Sequence, residues 1–494
     1  MNLLIGVDLG TTGCKAVVYD EAGTVLGESY LELDLITLSD VMIEQSPDAW
    51  WEAMVRAVGL ALAAAHADRE AVRGIAISSQ GIAFVLLDAQ DRPLGNAISW
   101  LDGRATVECA RILARYSARS LFQITGKRAA PFYVLPKLLW VRAQQPEVWR
   151  RARRLLMAHD YLVYRLCGER VTDHSLAGGT LLYDLHRQDW SQELLDAFDI
   201  PADLLPPVCW AGTRVGTLRP EAAAALGLTT AVVVAVGGQD QKCAALGAGL
   251  VAGTASVSLG TASAVVQLLD RPATDPQLRI PTFAFVQPAC WVLEGVVATA
   301  AGCLRWYRDT LAPGASYADL DAEAAGAPPG SDGLYFYPHL SGASSPHWLS
   351  AGRGALHGLS LATSRSHLTR ALMEGVAFQI RENLAITEEI GGPVAQVILF
   401  GGGARSGLWR AIIGDVLARP VVWPRTMETA SGGAAMLAGT GSGVFATLDE
   451  ARGRMLAPLG RREPDAAVVA LYVQHYERYR RVEAALLSLA SEHP

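Results

Sequence analysis

Near the amino terminus, Val7-Asp8-Leu9-Gly10-Thr11-Thr12 sets a carboxylate, a glycine and two hydroxyls in one short turn, and Val257-Ser258-Leu259-Gly260-Thr261-Ala262 echoes it much later. Backbone N–H groups and threonine hydroxyls in such a turn can hold a polyphosphate. One copy alone is equally compatible with a plain tight hairpin turn, and it is the repetition that points to phosphate. "VAVGGQDQKCAALGAG" places Asp240 and Gln241 between an apolar run and a stretch of small residues. A carboxylate there can take a proton from a substrate hydroxyl, or simply cap the following helix. "VILFGGGARSGLW" runs from strand to helix through glycines that let backbone approach a flat ligand, which suits an adenine and ribose pocket. It has neither the G-x-G-x-x-G spacing nor the G-K-[ST] of a P-loop. Asp102 and Arg104 in "ISWLDGRA" can bind vicinal hydroxyls or pair with each other, and Gln80 ends a strand where a loop can line a pocket. Lys15 and Lys137 are single lysines of the kind that snorkel to solvent. His159, His174, His339 and His347 show no metal-ligand spacing, so no zinc site is expected.

These residues need elements to position them. "NLLIGVD", "KAVVYD" and "GTVLGESYLEL" read as three successive strands around the first turn. Ser46-Pro47 gives a helix start, and Trp51, Met54, Val55, Val58 and Leu62 follow as its core stripe. "VRGIAIS" is a buried strand, and "GIAFVLLDAQDRPLG" a strand entering a turn. The second half repeats the pattern: a hairpin over 255–268, strand "CWVLEGVVA", a helix near 366–389, strand "QVILF", and a closing helix over 464–490. Alternation of sheet and helix indicates an α/β layer fold. The Gly-rich segment "AALGAGLVAGT" marks the boundary between two domains, 1–247 and 248–494.

Composition limits the function. A net charge of -7 without a basic stripe argues against a nucleic-acid partner. Seven scattered cysteines, none in C-x-x-C spacing, read as reduced thiols. No signal peptide is visible, and the apolar runs are too short for a bilayer, so no membrane association is expected and the cytoplasm is the expected location.

In order along the chain, D-x-G-T-T, "EQSPDAWW", "SWLDGRA", "PKLLW", "GGQDQ", "SLGTAS", "YFYPHLSG", "GALHGLSL", "HLTRALMEGV" and "GGGARSGLW" resemble the FGGY carbohydrate kinases, nearest to those acting on xylulose. The resemblance implies two duplicated ribonuclease H-like domains of the actin and hexokinase type with the catalytic cleft between them. It implies ATP and Mg²⁺ as cofactors and a small sugar or polyol as substrate. Asp240 then matches the catalytic base. Asp8 matches the residue that positions the sugar and, with Asp240, holds Mg²⁺ through water. Thr11, Thr12 and Lys15 would hold phosphates from one side, Gly260 and Thr261 from the other, and Gly402, Gly403 and Ala404 would pack on adenine. Gln80, Gly81, Ile82, Asp102, Arg104 and Gln241 would face the substrate. The charge on a transferring phosphoryl group calls for donors on both sides. A second carboxylate at Ser258 would only add negative charge beside ATP.

The sequence also departs from the resemblance. Gly81-Ile82 stands where xylulose kinases usually carry Met-His, and Ala343-Ser344 where they carry Glu-Arg. A pentulose such as D-xylulose is the expected substrate, while ribulose, glycerol, gluconate or an autoinducer-type sugar stay open. An actin-like filament or scaffold is the alternative outside enzymes, and a homodimer is left open.

Overall fold

The computed structural model describes residues 1–456 and 460–492. The first half opens with β1 (Leu3–Leu9), β2 (Gly13–Asp20) and β3 (Val25–Glu32). It crosses through α1 (Pro47–Ala64) to β4 (Val72–Ser79), and returns at β5 (Arg214–Thr217) and β6 (Val233–Ala235) before α2 (Asp240–Ala248). The second half follows with β7 (Thr254–Leu259), β8 (Ser263–Leu269), β9 (Thr282–Ala284), β10 (Trp291–Val297), α3 (Arg365–Gly391) and β11 (Gln396–Phe400). It ends with α4 (Gly407–Leu417), β12 (Val421–Trp423), α5 (Thr429–Gly441), β13 (Gly460–Arg462) and α6 (Ala466–Glu492).

The two sheets share one plan. The first is ordered β5-β6-β4-β1-β2-β3 and the second β9-β10-β8-β7-β11-β12-β13. In each, the leading strand is antiparallel to its hairpin partner and parallel to a later strand: β1 with β2 and β4, β7 with β8 and β11. An antiparallel strand closes the far edge of both, β5 beside β6 and β13 beside β12. The chain is therefore a duplicated α/β fold with a cleft between the copies.

Ser46 caps α1 by accepting from Ala49 N–H, with Pro47 at the first helical position. The buried stripe is Trp50, Ala53, Met54, Ala57, Val58, Ala61 and Leu62. This corrects the expected stripe: Trp50, not Trp51, enters the core, and Trp51 lies at the flank under Arg165, 4.5 Å from its ring. A five-stranded sheet (Ile36–Ser39, Met42–Gln45, Ala97–Ile98, Phe84–Leu87, Arg154–Met157) adds a second apolar core to the first half, around Phe84, Leu121 and Leu138. It carries residues 80–83 and 98–104.

Two helices trade places at the centre. α5, from the second half, packs Ala435, Met436, Leu437 and Ala438 with Leu4, Val17 and Ala76 of the first sheet. α2, from the first half, packs Ala244 and Ala248 on Ile398, Phe400 and Val422 of the second. Their crossing leaves no room for side chains. A Cβ on Gly433 would come within 2.0 Å of the Cys243 carbonyl oxygen, and one on Gly6 within 1.9 Å of the Ser431 carbonyl oxygen. The expected boundary at 247/248 falls in the last turn of α2.

Candidate active site

β1, β4, α2 and α5 bring acidic groups together at the cleft. Asp8, near the end of β1, accepts from Ser78 Oγ at 2.8 Å. Loss of hydration pushes the Asp8 carboxyl up to about 6 despite that bond; Glu428 adds to the rise and Lys15 opposes it. Asp240 is the first residue of α2, and the helix cap is Gln239, whose side chain accepts from the N–H groups of Gln241 and Lys242. Asp240 is thus free of the capping role. Its Oδ1 accepts from Gln241 N–H at 2.6 Å and from Gln239 Nε2, and among the described residues Oδ2 has no such partner. Burial, then the charge of Asp8, raises the Asp240 carboxyl to about 7.

Gln80 and Gly81 lie against this turn: a Cβ on Gly81 would stand 3.1 Å from Gln239 Cγ. Gln80 donates to Gln45 Oε1 at 2.8 Å, yet its own Oε1 is buried without a partner among the described residues, as is Gln241 Oε1. Two orphaned amide oxygens close to the Asp240 turn are acceptors able to take hydroxyl donors. Ile82 adopts φ 61°, a left-handed conformation costly for a β-branched residue, and presses against Gly179, where a Cβ would meet its Cγ2 at 2.7 Å.

Asp102 and Arg104 are held by each other and by the protein. Asp102 is fully buried, accepts from Arg104 and from Ile43 N–H, and Arg104 also pairs with Glu44 at 2.8 Å and stacks on Trp140. Trp100, from the same turn, is exposed and donates from Nε1 to Thr11 Oγ1 at 2.7 Å, which ties this turn to the first hairpin. Lys137 does not snorkel. It is wholly buried, donates to the Ser99 carbonyl at 2.6 Å to pin this turn, and burial lowers it to about 7.

At the two hairpins, the first turn is closed by Gly10 N–H to the Gly13 carbonyl, with Thr12 exposed. The second turn is braced from behind: the carbonyls of Gly260 and Thr261 accept from Ala301 and Ala300 N–H at 2.9 and 2.7 Å. Of the three residues expected on adenine, only Gly402 borders open space. Leu259 occupies the face of Gly403, at 2.7 Å from a Cβ there, and Ala404 lies in the core. Lys15 bridges the halves through an ion pair with Glu428 at 2.6 Å. A cavity of 940 Å³ between the halves, walled by Tyr19, Arg405, Arg410, Trp423 and Glu428, is of the size that holds a nucleotide.

Sequence reasoning missed Glu428, Trp100 and Ser78. Glu428 had a signal. It precedes the small-residue run "TASGGAAMLAG", just as Asp240 precedes "QKCAALGAG", so each half contributes one acid-headed, close-packing helix.

Models of the N-terminal and C-terminal domains of the FGGY family of carbohydrate kinases match residues 3–247 and 255–442. A xylulose kinase of Escherichia coli K12 is 34% identical over 99% of this chain and 100% of its own length. A gluconokinase of Bacillus licheniformis is 30% identical over 90% of this chain and 88% of its own. The crystal structure of a ligand-bound xylulose kinase from Lactobacillus acidophilus superimposes with a TM-score of 0.94 at 25% identity, each chain covered in full. Among the described residues no helix is long and apolar enough to cross a membrane. Duplicated sheets, a carboxylate-lined cleft and these relatives agree with the resemblance read from the sequence, and they set aside the filament alternative: the chain belongs to the FGGY family of carbohydrate kinases.

Proposed function

We propose that the protein transfers the γ-phosphoryl group of ATP to a hydroxyl of a small neutral ketose or polyol, with a pentulose such as D-xylulose as substrate. The observation that carries this reading is the convergence of Asp8, Asp240 and the unpartnered oxygens of Gln80 and Gln241 on one end of the cleft. Asp240, its Oδ1 fixed by two donors, offers Oδ2 to the attacking hydroxyl and takes its proton. Thr11, Thr12 and Lys15 hold phosphate oxygens from one half, and Gly260 and Thr261 from the other. The hard oxygen donors of Asp8 and Asp240 suit Mg²⁺ held through water, and the ion supplies charge neutralisation on the phosphates. The free cysteines and the homology to bacterial sugar kinases support a cytoplasmic protein.

A neutral sugar is favoured over an aldonate. Of the two lysines beside these carboxylates, Lys242 is buried and paired with Glu294, and Lys15, which shares Glu428, is assigned to the phosphates, so neither is left for a substrate carboxylate. Replacing Asp240 by Ala should leave ATP binding near normal and lower turnover by about two to four decades. ADP release across D-xylulose, ribulose, gluconate and glycerol is the measurement, and near-normal turnover of the variant would remove Asp240 from the role of base. Ile82 sharpens the substrate. It cannot hydrogen-bond, so a sugar hydroxyl facing it is left unpaired at a cost of about 1–3 kcal/mol, roughly tenfold to a hundredfold in kcat/KM. Ile82→His should raise kcat/KM for D-xylulose and relieve the left-handed strain; no gain would show that this position does not set the choice.

A further inference from the structure

We propose that the second half also carries a divalent-cation site of the zinc type, built by His347, Glu382 and Glu483. None of these residues belongs to the cleft. Glu382 comes from α3, Glu483 from α6, and His347 from the loop following His339. One ligand atom from each lies within 4.8 Å of the others, and His347 Nε2 is 3.2 Å from Glu382 Oε2. Ligand atoms around a tetrahedral zinc stand roughly 3.3 Å apart, given bonds of about 2.0–2.2 Å. The His347–Glu382 edge already has that length, and Glu483, within 4.8 Å, needs to close by at most about 1.5 Å.

Charge supports a cation here. Glu382 and Glu483 are 8% and 2% exposed, and among the described residues neither pairs with a lysine or arginine. Their partners are imidazoles: His347 for Glu382, and His339 for Glu483 at 3.0 Å. Of the guanidiniums in the vicinity, Arg480 on α6 acts on His347 from an exposed position, and Arg381 is engaged over the Tyr476 ring. Two buried carboxylates demand compensation, and one divalent ion supplies it in full.

The surroundings are arranged as for a ligand. Glu483 Oε1 accepts from both His339 Nε2 and Gln379 Nε2, which fixes the carboxylate and leaves Oε2 for the site. Hydrogen-bonded ligating carboxylates of this kind are the usual support of a metal. Spacing rules miss the site because its ligands are distant in sequence and meet only when α3, α6 and the loop pack. The ion would fasten that loop, whose Ser344 accepts from Ala298 N–H at 3.0 Å and whose Ser341 bonds Thr299 at 2.9 Å, just before the residues that brace the Gly260–Thr261 turn.

The test uses full-length protein stripped with a chelator and titrated with ZnCl₂ or CoCl₂ alone. The expected result is one equivalent bound tightly, visible d–d bands of a low-coordinate N/O cobalt site, and a raised thermal midpoint. Glu483→Gln and the milder His347→Ala should each abolish that equivalent, with kinase activity reporting that the fold is kept. Gln379→Ala, which spares the ligands, should weaken binding by about 10–100-fold. Absence of stoichiometric binding by the parent protein would overturn the proposal and leave a protonated His347 as the counter-charge. Binding unchanged in both ligand variants would overturn it by placing the metal elsewhere.

Discussion

The hairpin turns at Gly10 and Gly260 are copies that have diverged. In the first, Leu9 pairs with Cys14 across four turn residues, Gly10–Gly13, and Asp8 faces Lys15 on the neighbouring strand. In the second, Leu259 pairs with Ser263 across three, Gly260–Ala262, and Ser258 faces Ala264, whose N–H it accepts at 3.0 Å. One turn thus carries a carboxylate and an ammonium where the other carries a hydroxyl and a methyl. Backbone donors are common to both, so phosphate holding can be shared. The charges that prepare chemistry are not duplicated. Asp8 raises Asp240, and Lys15 reaches Glu428 on the exchanged helix. Duplication built the cleft, and only one copy kept the charged side chains.

The strongest way to break this contrast is to give the first turn the residue of the second. Asp8→Ser keeps a hydrogen-bonding group beside Ser78 but removes the charge, and kcat should fall by about 10²–10³, the range for a lost electrostatic contact in a closed site. A loss under about threefold would mean that the turn backbone, not its carboxylate, matters. The reverse transplant, Ser258→Asp, sets a second carboxylate near the phosphates. It should raise the KM for ATP about tenfold, equivalent to about 1.4 kcal/mol, and change kcat at saturating ATP much less. An unaltered KM would show that this turn does not approach the nucleotide.

Acidity gives a third handle. With the Asp240 carboxyl at about 7, kcat/KM should rise with pH through neutrality as the base ionises, and fall about tenfold per unit below it. In Asp8→Ser the residual activity should show this limb shifted downward, because the like charge is gone; an unmoved limb would uncouple the two carboxylates. The smallest effect concerns stability. A carboxyl whose folded value lies above its unfolded one binds more protons when folded, so stability falls as pH rises between about 4 and about 7. Asp240→Asn should therefore melt a few degrees higher than the parent at about pH 8, with the gain gone near about pH 4. An equal melting temperature at both would show that Asp240 ionises without penalty.

Much of this was legible in the sequence because it rests on local chemistry. The hairpins, the capped α1, β11 with its glycine turn, and Asp240 at the head of a small-residue helix all follow from short-range patterns. What escaped depends on contacts between distant segments. Trp50 and Trp51 are neighbours, and only the packing of α1 on its sheet decides which is buried. Asp102 and Arg104 look like ligands until Glu44 and Ile43, some sixty residues earlier, are seen to occupy them. Glu428 belongs to the second half by sequence but meets Lys15 of the first, because α5 has crossed over. Lys137 looks like a surface lysine until the Ser99 carbonyl is found over it.

That crossing of α2 and α5 has a consequence for how the chain is made. The face of the first sheet formed by Leu4, Gly6, Val17 and Ala76 is covered by residues 429–441, synthesised long after the sheet itself. A nascent chain ending near residue 247 therefore emerges with apolar strand surface bare, and transiently exposed surface of this kind invites aggregation. A fragment of residues 1–247 should need a chaperone or supply of the missing helix in trans to stay dispersed. The ribosome must deliver residues 429–441 before this face of the first sheet is covered, although the cores on its other face and around Phe84 are built from first-half residues alone.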